Sequence, residues 1–319
     1  MPAVKPRVVV SRCLGFAACR WNGVSLPNAF VDKLASLVEF VDVCPEFDIG
    51  LGAPRDPIRV VEADGGVRLV QPATGRDLTQ AMRGHITGLL DDLGEVDGFL
   101  LKHRSPTCGI KDVRRYAAAD AKGAFGRGPG FLGGAVIERF PNLAVEDEGR
   151  LNNYTLREHY LTKLFSLAEL RGVIHKPSMA ALMDFQARHK LLLLAYDQAA
   201  MRRLGRLLAR AEDAEKAAAE YRRGFATALT DPPGVGPVTN VLLHALGYFS
   251  KQISASEKAF FLDLLSDYRE AKLPLSALSS VLRGWIIAHG VDYLARQSFF
   301  EPFPRELVEI TDSGKGRDN

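Results

Sequence analysis

Hydrophobic positions in the first half of the chain switch between two periods. "RVVVSRC" (7–13) is a short apolar run that ends on a polar turn, the pattern of a buried strand. In "PNAFVDKLASL", Phe30, Leu34 and Leu37 recur at helical spacing. "VEFVDVCPE" reads as a second strand, and "DLTQAMRGHITGLLDDL" as a helix with Asp77 as its N-cap. "VDGFLLKHRSPTCG" is a third strand running into a turn. "GGAVIERFPNLAVED" gives a late strand or helix and a return segment. This alternation predicts a parallel, doubly wound, Rossmann-like α/β sheet. In such sheets the ligand crevice lies outside the carboxyl ends of the strands.

From about Arg171 the period becomes helical throughout. "SMAALMDFQARHKLLLLAYDQAAMRRLGRLLAR" reads as one long helical pattern and "AEDAEKAAAEYRRGFATALT" as a second, ended by "DPPGVGP". Ser254, with Glu257 three positions on, carries the capping chemistry of a helix start. His189 and His244 fall on apolar faces and read as core residues. The pattern predicts an α/β domain over 1–168, an all-α domain over 169–308 and a polar, disordered tail over 309–319.

Length agrees, because a single core rarely grows to 319 residues. A hydrophobic share of 47% and a charged share of 25% are ordinary for a globular protein. The net charge of +3 is too small to establish a nucleic-acid partner by itself. No apolar signal core or bilayer-length run is present, so a cytoplasmic location is expected. Thiols there stay reduced, so four cysteines do not predict a disulfide framework.

All four cysteines fall in the first domain. Cys13, Cys44 and Cys108 each follow a predicted strand, and Cys19 lies in the loop beyond the first. Two readings stay open: small buried apolar residues, or ligands of a shared metal or cluster. Three thiolates with one open coordination position suit a four-iron cluster that binds substrate. Zinc competes, although there is no Cys-x-x-Cys pair. Glu46, in the first turn after Cys44 and Pro45, is either a proton-transfer group or a partner of the helix dipole. Ser105 is either part of the chemistry or a Ser-Pro turn former. Lys102, His103 and Arg104 precede it as a candidate anion rim. Arg202, Arg206 and Arg210 share a helical face. That face either follows a phosphate backbone or is solvated and balanced by Glu212, Asp213, Glu215 and Glu220.

"SRCLGFAACRWNG", "CPEFDIGLGAPRDPIRVV" and "LLKHRSPTCGIKDV" resemble the signature segments of the thiouracil desulfidase family, over roughly residues 5 to 165. "FQARHKLLLLAYDQAAMRRLGRLLA", "NVLLHALGYF" and "YLARQSFFEPFPREL" resemble the YbgA-type helical domain often fused behind it. The resemblance implies a [4Fe-4S] cluster held by Cys13, Cys44 and Cys108, with one iron free for the sulfur of a thiolated pyrimidine. It implies that Glu46 activates water or relays a proton, that Ser105 assists, and that Cys19 has no ligand role. With the helical domain present, it implies a tRNA partner whose 4-thiouridine becomes uridine. Free thiouracil is the alternative substrate. A zinc hydrolase or a cluster-carrying RNA-binding regulator are the alternative classes. Thr107 stands where the family commonly has Ser, and Trp21 where a Tyr-type aromatic is common. Arg20 and Trp21 are then candidate rim contacts for a charged, stacked substrate.

Overall fold

The structure is a computed structural model that describes residues 4–63 and 66–311. The chain divides into two compact units. One runs up to Glu169 and takes up the chain again from Arg305; the other is Leu170–Pro304.

The first unit contains, in order, β1 (Arg7–Ser11), α1 (Ala29–Leu34), β2 (Glu39–Val43), β3 (Arg59–Ala63), β4 (Gly66–Gln71), β5 (Arg76–Asp77), α2 (Thr79–Asp92), β6 (Gly98–Leu101), β7 (Val113–Tyr116), β8 (Gly126–Gly128), α3 (Phe131–Arg139), β9 (Ala144–Asp147) and the start of α4 (Tyr154–Ile174). A four-stranded sheet has the order β2-β1-β6-β9, and every pairing in it is parallel. Val9 lies beside Val41 on one side and Phe99 on the other. Val8 to Val10 and Phe99 to Leu101 are all buried, the continuous apolar run of strands covered on both faces. Val9, Phe99 and Leu101 share a core with Met82, Ile86 and Leu90 of α2 and Leu132 and Val136 of α3. All four strands therefore end along one edge.

A second sheet, absent from the sequence reading, has the order β5-β4-β3-β7-β8. It is mixed: β3–β4, β4–β5 and β7–β8 are antiparallel, and β3–β7 is parallel. Asp77 is not the N-cap residue of α2. It sits one position earlier, in β5, and its Oδ1 accepts the N–H of Thr79 at 2.9 Å.

The second unit is helical: the end of α4, then α5 (Met179–Arg188), α6 (Lys190–Tyr196), α7 (Gln198–Arg210), α8 (Ala214–Ala228), α9 (Val235–Gly247), α10 (Ala255–Arg269), α11 (Leu275–His289) and α12 (Asp292–Ala295). The single long helix expected before Ala211 is three helices. Asp197 restarts it, because its side chain caps Ala200 N at 2.9 Å. Ser254 and Glu257 form the expected capping box. His189 is buried and stacks on Phe185 at 3.9 Å between ring centroids. His244 is exposed, contrary to the core position its spacing suggested.

The segment from Arg305 belongs to the first unit, which shortens the helical region expected to reach 308. Arg157 of α4 donates to the carbonyls of Glu309 and Thr311 at 2.7 and 2.6 Å. Of the expected polar tail, 309–311 is thus held to the first unit and 312–319 lies outside the described residues. Among the described residues, no helix is long and apolar enough to cross a membrane.

Candidate functional site

Three neighbouring strands hand their ends to one crevice. After β1, Arg12 N–H donates to Val43 O at 2.8 Å, and Cys13 follows in the turn. After β2, the Cys44 carbonyl accepts N–H groups from Phe47 and Asp48, both at 2.9 Å. Pro45 and Glu46 make the first positions of that short turn, as Pro suits a helical start. After β6 comes the Ser105–Cys108 turn. Ser105 Oγ accepts the N–H groups of Thr107 and Cys108 at 3.2 and 3.1 Å, closing the turn.

Two glycines hold that last turn against α3. A Cβ at Gly133 would lie 2.2 Å from the Gly109 carbonyl oxygen, and one at Gly130 2.5 Å from that of Thr107. Without side chains there, Leu132 and Gly133 donate their N–H groups to Thr107 O at 2.8 and 3.1 Å.

The crevice has a volume of about 290 Å³. Its lining includes Cys13, Cys19, Cys44, Cys108, Glu46 and Ser105. Adjacent strands lie about 4.8 Å apart, which brings thiols distant in sequence to one place. Cys19 is there too: the loop from Arg12 folds back, Ala17 N–H to Arg12 O at 3.0 Å, and Cys19 hydrogen-bonds with the Cys44 thiol. Spacing along the chain left Cys19 less clearly aimed at this point than the other three, and the fold places it in the same lining. Burial, aided by Cys19, pushes the Cys13 and Cys44 thiols up to about 12. Burial raises Cys108 well above the ordinary thiol range, against a hydrogen bond with Ser11.

Glu46 has a partner that the sequence reading missed. Arg55 Nη2 binds Glu46 Oε2, while its Nη1 donates to the carbonyls of Cys19 and Gly52 at 2.9 and 2.7 Å. Glu46 Oε1 accepts from the Ser105 hydroxyl at 3.2 Å. The side chains of Arg55 and Glu46 are only 5% and 13% exposed. A signal was available: a buried carboxylate needs a cation, and Arg55 stands in the same signature segment as Glu46.

Lys102 lines the crevice but is not a free anion-binding rim. It pairs with Glu148 and donates to His103 O at 3.2 Å. His103 Nδ1 lies 3.0 Å from Asp147 Oδ1. Arg104 is exposed, with a left-handed φ of 56° and no partner among the described residues. Arg20 and Trp21 line the crevice, Trp21 being 47% exposed. Thr107 Oγ1 is buried without a hydrogen-bond partner.

In the second unit, Arg202, Arg206 and Arg210 stand on the exposed side of α7, whose buried side carries Ala200, Leu204 and Leu208. Among the described residues none of the three pairs with Glu212, Asp213, Glu215 or Glu220. Asp213 instead caps α8 through Glu215 N and Lys216 N at 2.9 and 3.2 Å.

Residues 8–148, which hold every crevice residue named above, match the 2-thiouracil desulfurase family. Residues 190–304 match a family described as a protein of unknown function, DUF1722. The chain belongs to the 2-thiouracil desulfurase family, fused to a DUF1722 (YbgA-type) domain. Uncharacterized protein YbgA of Escherichia coli (strain K12) is 30% identical over 158 residues, which span 48% of this chain and 93% of that protein. Uncharacterized protein YbbK of Bacillus subtilis (strain 168) is 30% identical over 109 residues, 32% of this chain and 72% of that one. A solved structure titled [4Fe-4S]-dependent thiouracil desulfidase TudS is 26% identical, with a TM-score of 0.36, over 46% of this chain and 93% of that one.

Proposed function

We propose that this chain is a [4Fe-4S]-dependent desulfidase that replaces the sulfur of a thiolated uracil with oxygen, and that its substrate is 4-thiouridine in tRNA. The observation that carries this reading is the convergence of the cysteines, Glu46 and Ser105 at the carboxyl ends of three neighbouring parallel strands. We read the four-stranded sheet as doubly wound: the chain leaves β1 toward β2 on one side, and later adds β6 and β9 on the other. The crevice then lies where the strand order reverses.

The donor set fits the cluster. Thiolates are its usual ligands, and all four cysteines are free. Cys13, Cys44 and Cys108 would hold it, and its open iron would bind and polarise the thiocarbonyl.

The remaining steps fall to the protein. Glu46 takes the proton of the attacking water on Oε1, while Arg55 anchors Oε2 so that Oε1 stays turned toward Ser105. Water supplies the oxygen that joins the ring carbon. The sulfur leaves with the electron pair of its bond to carbon as hydrosulfide, so nothing is oxidised or reduced. Ser105 ties the carboxylate to the Cys108 turn, since its hydroxyl also holds that turn closed. Trp21 and Arg20 at the crevice suit a stacked base carrying charge. The unpaired arginines of α7 suit a phosphate backbone. A thiolated base must leave its stack to enter the crevice.

The test compares 4-thiouridine tRNA with free thiouracil on anaerobically reconstituted protein. The expected result is loss of the thiocarbonyl absorbance of the tRNA with equimolar hydrosulfide, and iron and sulfide at about four each per chain. Stoichiometric zinc in protein purified anaerobically would remove the cluster. Unchanged absorbance of both substrates with a full cluster would remove the activity.

A further inference from the structure

The fourth strand of the parallel sheet fixes a crevice side chain that takes no part in the proton transfer of Glu46. β6 and β9 are neighbours, with Leu101 beside Asp147. His103 follows β6 and lines the crevice. Three consecutive residues at the end of β9 hold it. Glu148 Oε2 accepts the His103 N–H at 2.7 Å, and the same carboxylate pairs with Lys102. Gly149 brings bare backbone against the ring: a Cβ there would lie 2.8 Å from Cγ and 2.9 Å from Cδ2 of His103. Asp147 Oδ1 lies 3.0 Å from Nδ1. Asp147 is itself buried, and its Oδ1 also accepts the Arg150 N–H at 2.8 Å, so the carboxylate has one position. Main chain, ring face and one ring nitrogen of His103 are thus all set by β9.

A carboxylate beside Nδ1 keeps the ring proton on that nitrogen, and the neutral ring then presents Nε2 as an acceptor. Nδ1 is buried, whereas Nε2 is left open, with no partner among the described residues. A fixed acceptor in a crevice calls for a donor on the molecule that enters it. We propose that His103 Nε2 accepts the N3–H of the thiolated base, and so selects thiolated uracils over thiolated cytosines. The inference rests on the thiobase reading above and narrows it to one class of base. N3–H adjoins the thiocarbonyl carbon in both 2-thiouracil and 4-thiouracil, so one acceptor serves either isomer. A thiocytosine carries a bare lone pair at N3, which would face the lone pair of Nε2. Two acceptors opposed and shut off from water cost more than one lost hydrogen bond, which is how a polar site rejects a close analogue. Asp147 acts through His103 and is a positioning residue.

The test is equilibrium dialysis of 2-thiouridine, 2-thiocytidine and 4-thiouridine against the anaerobically reconstituted full chain, with iron measured on every sample. 2-Thiouridine is expected to bind about tenfold or more tighter than 2-thiocytidine. His103→Gln supplies a carboxamide that offers either its oxygen or its N–H, and should bring the two nearly level. His103→Phe keeps a ring and removes the acceptor. It should weaken 2-thiouridine and 4-thiouridine about tenfold and leave 2-thiocytidine nearly unchanged. His244→Gln, exposed on α9, should keep the original ratio. Binding of 4-thiouridine, with 2-thiouridine held no better than 2-thiocytidine, overturns the role of His103 and leaves the desulfidase reading standing. That outcome is read on the unaltered chain, whether or not a variant takes up iron. A ratio that survives in both His103 variants overturns the proposal in the same way. Failure of all three nucleosides to bind overturns the thiobase reading and the role of His103 with it.

Discussion

Arg55 in the crevice and Arg206 on α7 put the same side chain to opposite uses. Arg55 is buried and spends its guanidinium on two backbone carbonyls and Glu46. Arg206 stands in water beside Arg202 and Arg210, with no described partner. The first is a fixed part of a polar network; the second is one of several interchangeable charges. A buried ion pair is costly to break, because removing one partner strands the other. An exposed charge contributes little to folding and acts through summed, salt-screened attraction.

The largest effect should come from the crevice side of this contrast. Arg55→Ala leaves the Glu46 carboxylate buried without its cation and should cost about 3 kcal/mol of stability. Urea unfolding measures it. Arg206→Ala should stay within about 0.5 kcal/mol, and equal costs for the two would break the comparison. Glu46→Gln separates chemistry from folding: iron content should hold while desulfidation falls about a hundredfold or more. Full activity in that variant would end the role given to Glu46.

The thiols sharpen the contrast within the crevice. Cys44→Ala should lose most of its iron on anaerobic reconstitution, whereas Cys19→Ala should retain it. The reverse result would exchange the two in the ligand set. On α7 the effects are smaller for each residue. Replacing Arg202, Arg206 and Arg210 by Gln together should flatten the salt dependence of tRNA binding, lowering its slope by roughly 0.7–0.9 per lost phosphate contact. An unchanged slope would return those arginines to a merely solvated face.

What the sequence made legible follows from local physics. β1, β2 and β6 were readable because apolar runs ended abruptly in turns, and three cysteines marked the endings. The second sheet was not, because β3 and β4 mix charges into short strands such as "RVVEA" and "GVRLVQ". Arg55 was hidden for a related reason: its partner is nine residues away through a fold of the chain that no periodicity describes. The place of Cys19 in the lining was not legible, because spacing along the chain says nothing of the loop turning back on Arg12. In the second unit the helical period was visible, but Asp197 was passed over as one more polar position when it starts a new helix. The segment from Arg305 was misassigned because its attachment to Arg157 spans 152 and 154 residues.

The contact between α3 and the Cys108 turn has a consequence for how variants of this protein are interpreted. Gly130 and Gly133 let the helix grip the turn by backbone alone, with carbonyl oxygens where side chains would otherwise stand. A methyl group at 133 would be a wedge driven behind Cys108. Such a change adds no charge, removes no ligand and alters no residue of the crevice. In a screen it would still look like the loss of a cysteine, and a catalogue of inactivating positions would mistake a spacer for a reagent.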